Sequence, residues 1–119
     1  MAYTWMYSND DSDWSFKVSK KSGGVCAWPK CSSSFGLGAH HCVPRGFMAT
    51  RPIVENGILL CNKHHTLVEN CKGTTKYEQI IGILIGLDVY LALKELAQSS
   101  LKTEDIEDNM VISSDVWLE

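Results

Sequence analysis

The placement of its metal-ligating side chains narrows what this chain can fold into more than any other feature. Cys26 and Cys31 enclose four residues, Cys61 and His64 enclose two, and thirty positions separate Cys31 from Cys61. Two close pairs brought together from distant stretches supply four soft or borderline donors, the set that tetrahedral Zn²⁺ accepts. Each pair falls in a turn or at a strand-to-helix junction, where the backbone can bend both side chains toward one ion. Five cysteines is an odd number. The N-terminus, MAYTWMYSNDD, lacks the basic-then-apolar order of a secretory signal, so a cytoplasmic setting with reduced thiols is expected. A structural Zn²⁺ on Cys26, Cys31, Cys61 and His64 is the first expectation. Cys71 is an alternative fourth ligand, and Cys42 and Cys71 otherwise read as buried thiols.

At 119 residues, with 45% hydrophobic and 21% charged residues, the chain suits one globular domain and excludes wholesale disorder. No apolar run approaches the ~20 residues of a membrane span, so no membrane partner is expected. The net charge of -3 hides a segregation. Residues 1–16 carry only acids; residues 17–76 hold nine bases against Glu55 and Glu69; residues 77–119 hold nine acids against Lys94 and Lys102. A basic centre between acidic ends suits a polyanion ligand, because local field rather than total charge steers one.

The expected fold class is α+β. Trp14, Phe16 and Val18 alternate with Ser15 and Lys17, and Asn9-Asp10-Asp11-Ser12 reads as a turn, so an N-terminal hairpin is expected within residues 1–22. The Asn9, Asp11, Asp13 spacing starts like a calcium loop, but Trp14 stands where glycine is required, and calcium is rejected. Short strands are expected at 40–43 and 57–60, then a helix capped by Asn62, running to Cys71 and stopped at Gly73. Thr75-Lys76-Tyr77-Glu78 reads as a capping box opening one long helix within 74–98. That helix is apolar almost all round, with Gly82 and Gly86 one turn apart. A homodimer through it is therefore expected, allowing close approach at the glycines. Residues 99–119 form an acidic tail.

A second group of residues points to chemistry. His40 and His41 are adjacent on an expected strand and so point to opposite faces unless a bulge or twist intervenes. His65 and Glu69, at i and i+4, share one helical face and can share a metal ion, while His64 points about 100° away toward a different one.

The string Cys26-x4-Cys31, His40-His41-x-x-Pro44-Arg45, Asn56-Gly57-Ile58-Leu59-Leu60-Cys61-x-x-His64-His65 resembles the HNH endonuclease family. The likeness covers roughly residues 24–72. It implies a ββα-metal (His-Me finger) core around one catalytic divalent ion, with a zinc knuckle beside it. By that resemblance His41 is the general base that activates water and Asn56 steadies the loop. His40, His65 and Glu69 hold the catalytic Mg²⁺ or Mn²⁺. Arg45, Arg51 and Lys63 are candidates to hold phosphates. Glu69 stands where a further ligand is usually His, His64 where zinc-binding members usually have Cys, and the glycine pair after the first histidine motif is missing.

The function implied is metal-dependent hydrolysis of DNA, most simply double-stranded DNA, leaving 5′-phosphate and 3′-hydroxyl ends with weak sequence preference. Two other readings stay open. One is a zinc-stabilised nucleic-acid-binding module without catalysis; the other is a protein-interaction module working through the apolar helix.

Overall fold

The computed structural model describes residues 3–99, an α+β arrangement of four helices and a two-stranded antiparallel sheet. Helix α1 spans Asp11–Lys21 and strand β1 spans Gly38–His41. A single 3₁₀ turn, Val54–Asn56, leads into strand β2, Gly57–Leu60. Helices α2 (Asn62–Asn70), α3 (Thr75–Ile85) and α4 (Leu87–Ser99) follow.

The sheet is filled on both sides. In β2, all four residues are buried. Leu59 packs with Trp14 and Val18 of α1, whereas Ile58 and Leu60 enter the larger core with Val68, Tyr77, Ile81, Tyr90 and Leu93. The period-2 alternation of a strand thus sends its neighbours to two different helical layers. The register pairs His40 with Ile58 and His41 with Gly57. The two histidines consequently part: His40 toward the α2–α3 layer and His41 toward α1.

The N-terminal segment is a helix and not the expected hairpin. Trp14 and Val18 also stand at i and i+4, and it is these two that are buried, while Phe16, the middle member of the apparent alternation, is 64% exposed. The residues read as a turn form the helix cap instead. Asp10 accepts from the Asp13 amide at 2.7 Å, Asp13 accepts from the Asn9 amide at 2.9 Å, and Asp11 and Asp13 lie in the first turn. Carboxylates there satisfy orphan N–H groups and complement the helix dipole.

The long helix expected within 74–98 is two. Gly86 adopts φ +97, a conformation that favours glycine, and the chain turns there between α3 and α4. A side chain at Gly82 would come within 3.3 Å of Leu87. The two glycines therefore serve contact within the chain, and the Lys94 ammonium crosses from α4 to Glu78 of α3 at 3.0 Å. Thr74, rather than Thr75, caps α3 through the Tyr77 amide, so Glu78 is free for that ion pair. Cys61 is the N-cap of α2 in place of Asn62, and Cys71 is its C-cap. β1 ends at His41, with Cys42 and Val43 already in the loop. The acidic tail at 100–119 lies outside the described residues.

Gly57 positions the α1 layer. A Cβ there would collide with Val18 and would lie 2.6 Å from Trp14 Cζ2, so the indole lies where a side chain would otherwise be. Gly57→Ala is expected to displace α1 and cost about 1–3 kcal/mol, as overpacking of a tight interior does. Urea unfolding monitored by Trp fluorescence checks it; an unchanged midpoint would contradict the packing described.

Candidate metal centres and the His41 face

The first cluster joins three segments. The 26–31 loop is held to the sheet by the Ala27 amide on the Leu59 carbonyl (2.7 Å) and closed by the Cys31 amide on the Trp28 carbonyl (3.0 Å). Lys30, at φ +66, takes the left-handed conformation just before Cys31. Cys61 and His64 come from the first turn of α2. Donor atoms of Cys26, Cys31, Cys61 and His64 all lie within 4.8 Å of one another. His64 Nδ1 is 3.2 Å from Cys61 Sγ and 3.6 Å from Cys26 Sγ, and the Cys31 and Cys61 sulfurs are 4.0 Å apart. A tetrahedral zinc with ordinary Zn–S and Zn–N bonds has ligand–ligand edges of roughly 3.4–3.8 Å. The four residues are close enough to hold a metal ion, and their three thiolates and one imidazole suit zinc.

The environment of each thiol differs. Backbone N–H groups at the start of α2, first that of His64, hold the Cys61 thiol below its usual range, as expected at a helix N-terminus. Burial pushes the Cys26 thiol up. Trp28 stacks on the His64 ring at 4.5 Å between centroids and fixes its plane. Cys71 is excluded from this centre by geometry: it stands at the opposite end of α2, ~15 Å along the axis from Cys61. Cys42 is fully buried, its thiol pushed up to about 12 by burial, and lies outside the cluster.

A second cluster gathers His40, His65 and Glu69. His40 Nδ1 is 3.2 Å and His65 Nε2 3.4 Å from the same Glu69 carboxylate oxygen. Gly38 gives His65 room beside β1, since a Cβ there would stand 3.4 Å from its ring. Burial holds the His40 conjugate acid down at about 4, so this ring is neutral near pH 7. Burial raises the Glu69 carboxyl, but Lys72 at 3.1 Å and the two histidines outweigh it and the net direction is down. Two imidazole nitrogens and one carboxylate thus converge on a single point. Each ring nitrogen either donates a hydrogen to that oxygen or, with its lone pair bare, joins it in holding a cation, and the three donor atoms are close enough for the second.

His41 sits on the other face. Its ring stacks on Trp14 at 3.7 Å with the planes 3° apart, and its Nε2 is 3.2 Å from the Arg51 carbonyl. A carbonyl only accepts, so Nε2 carries the hydrogen and Nδ1 keeps its lone pair. Burial lowers the His41 pKa below the ordinary 6.5. Asn56, fully buried, clamps the loop that follows: its Oδ1 accepts from the Val43 amide at 2.8 Å, and its Nδ2 donates to the Val43 and Thr50 carbonyls at 3.1 and 3.3 Å.

Of the three cations expected to hold phosphates, two are already paired. Arg51 Nη2 and Nε lie 2.6 and 3.1 Å from the Asp11 carboxylate, and Arg45 Nη2 reaches the same carboxylate. Arg51, then Arg45, hold the Asp11 carboxyl well below the usual carboxylate range. Lys63, on the first turn of α2, is exposed. Sequence reasoning missed Trp14 and Asp11 as neighbours of His41. The i, i+4 spacing of Trp14 and Val18 was the one signal available, and nothing local to Asp11 announces arginines 34 and 40 positions away. Comparison with protein-family models, with curated proteins and with solved structures found no match.

The sulfur-rich centre makes a direct prediction. Purified protein is expected to hold a single zinc per chain, and Co²⁺ in its place should give thiolate-to-cobalt charge-transfer bands. His64→Ala should weaken zinc by more than about 100-fold, beyond what loss of an outer-shell partner costs, whereas Cys71→Ser should leave it unchanged. Equal weakening by both variants would contradict the geometry.

Proposed function

We propose that this protein is a metal-dependent DNA endonuclease of the HNH kind, with a structural zinc beside a ββα-metal core. The observation that supports this most is the convergence of His40, His65 and Glu69 on one side of β1; His41, the next residue, faces the other side, toward α1. β1, β2 and α2 have the order and pairing that such a core requires, two antiparallel strands followed by a helix bearing His65 and Glu69.

In this reading His41 acts as a base. Its Nε2–H is held by the Arg51 carbonyl, so Nδ1 takes a proton from water as the water oxygen attacks phosphorus. The bond from phosphorus to the 3′-oxygen breaks, and the leaving oxygen takes a proton from solvent, which gives 5′-phosphate and 3′-hydroxyl ends. A divalent ion on His40, His65 and Glu69, Mg²⁺ or Mn²⁺, would supply the charge stabilisation that the pentavalent phosphorus and the leaving oxygen need. Asn56 holds the loop between the two strands, and with it the carbonyl that orients His41. Trp14 keeps the imidazole plane fixed.

Arg45 and Arg51 remain the proposed phosphate contacts, with Lys63. The Asp11 carboxylate then occupies the place of a phosphate oxygen, and a DNA backbone must displace it or share the guanidinium groups with it. That arrangement is also what favours the second reading, a zinc-stabilised module that binds nucleic acid without cutting it. A homodimer remains proposed through α3 and α4, where Ile83, Leu87 and Leu91 are exposed. The described residues contain no helix long and apolar enough to cross a membrane.

Plasmid incubated with zinc-loaded protein and Mg²⁺ or Mn²⁺ is expected to be cleaved and to be spared with EDTA. His41→Ala should lower the rate about 10²–10⁴-fold with folding intact. The active form of His41 is neutral and exists above its pKa. Since burial lowers that pKa, activity should stay flat from pH 7 to 8 and fall only below 6.5. Binding without cleavage in either metal would instead support the second reading.

Freeing the arginines should change affinity. Asp11→Asn is expected to tighten binding of duplex DNA and to steepen its salt dependence by about one to two counterions. A fluorescence-anisotropy titration at several salt concentrations measures the slope; an unchanged slope would mean that Arg45 and Arg51 do not touch phosphate.

A further inference from the structure

Tyr77 lies on α3, outside the 24–72 stretch that carries the family resemblance, yet its hydroxyl is buried against the inner histidine. It is 2.7 Å from the Cys42 carbonyl and 2.9 Å from His40 Nε2. The residue is 7% exposed and His40 3% exposed, so water is a poor substitute for either partner.

The hydrogens in this chain are determined by counting. A phenol has one hydrogen to donate, and a backbone carbonyl has none. The Cys42 carbonyl must therefore accept from Tyr77. The Tyr77 oxygen is then the acceptor toward His40, and His40 Nε2 must be the donor. An ordinary phenol keeps its hydrogen near neutral pH. In a neutral ring, a hydrogen on Nε2 leaves the lone pair at Nδ1, which faces the Glu69 oxygen 3.2 Å away.

We propose that Tyr77 is the positioning residue that sets the tautomer of His40 and so presents Nδ1, together with His65 Nε2 and Glu69, to a divalent cation. The inference rests on reading that cluster as a cation site, and it adds an outer-shell partner from a helix that the motif does not include. Ligating histidines usually give their second ring hydrogen to a fixed acceptor, which sets the ring's direction as well as its tautomer. Here the acceptor is a phenol already committed to the backbone just past β1. The Cys42 carbonyl, Tyr77, His40 and Glu69 form one line from the loop after β1 to the face of α2. Rotation of His40 about its ring axis would break it at the Tyr77 end.

The test uses full-length protein loaded with zinc at the sulfur-rich centre. Nitrogen-15 NMR of the histidine side chains, without added divalent ion, should show a neutral His40 ring with hydrogen on Nε2. Tyr77→Phe, which removes only the hydroxyl, should give a mixed tautomer population. Mn²⁺ affinity by calorimetry should weaken about 10–100-fold in that variant. Its zinc content and melting curve establish that the variant is folded, and the wild-type NMR measurement needs no variant at all. A wild-type ring with hydrogen on Nδ1 overturns the proposal, as does a Tyr77→Phe variant that binds Mn²⁺ as wild type does. Both outcomes leave the cation reading of the cluster standing. Wild-type protein that binds no Mn²⁺ overturns that reading itself, and the Tyr77 inference with it.

Discussion

The pairing of Gly38–His41 with Gly57–Leu60 is only four residues long on each side, yet both candidate faces of the molecule are built on its register. Opposite His41 stands Gly57, which has no side chain and so admits the Trp14 indole against the sheet. Opposite His40 stands Ile58, which faces the larger core with Tyr77 and Val68. A slip of one residue would exchange these faces, since the side-chain period of a strand is two. His40 would then meet α1 and lose Glu69 and Tyr77, while His41 would lose the Arg51 carbonyl. Filling both faces with helices makes that slip costly, because Leu59 and Leu60 would each leave a packed environment.

Around this short sheet the connections are stabilised by polar and ionic ties in place of a large core. Asn56 satisfies three backbone groups of the loop between the strands and is itself completely buried. Lys21 donates from the end of α1 to the Val54 and Gly57 carbonyls at 3.2 and 2.9 Å, joining the helix to the entry of β2. Cys26, Cys31, Cys61 and His64, close enough to hold a metal ion, join a loop to the start of α2, and a metal bound there would act as a cross-link between segments distant in sequence. A small chain gains much from such ties, since its buried apolar area is limited.

The electrostatic picture also depends on the fold. Summed along the sequence, the middle of the chain is a basic block. In space, Asp11 from the acidic N-terminal stretch meets Arg45 and Arg51 beside His41. The field near His41 is therefore a balance of one carboxylate and two guanidinium groups. The segment sums describe where charge is written along the chain, and they do not describe where it is felt.

Much of the candidate site was legible as local pattern. The spacing of Cys26, Cys31, Cys61 and His64 predicts a shared ion, and the i, i+4 relation of His65 and Glu69 predicts a shared face, because both depend on geometry within one turn or one helix. The strand at 57–60 was legible too, from its apolar run before Cys61. The N-terminal helix was misread, because Trp14 and Val18 satisfy period 2 and period 3.6 alike. Only the layer that buries them, with Phe16 left in solvent, decides between the two. The break at Gly86 was likewise ambiguous, since a glycine within an apolar run permits a turn without requiring one. Lastly, the sequence by itself determined which donors could meet and how many. The tertiary structure alone decided that Asp11 engages the arginines, that Trp14 lies on His41 and that Tyr77 faces His40. Those partners are brought from 27 to 40 positions away by packing, and no short-range rule of the chain reaches that far.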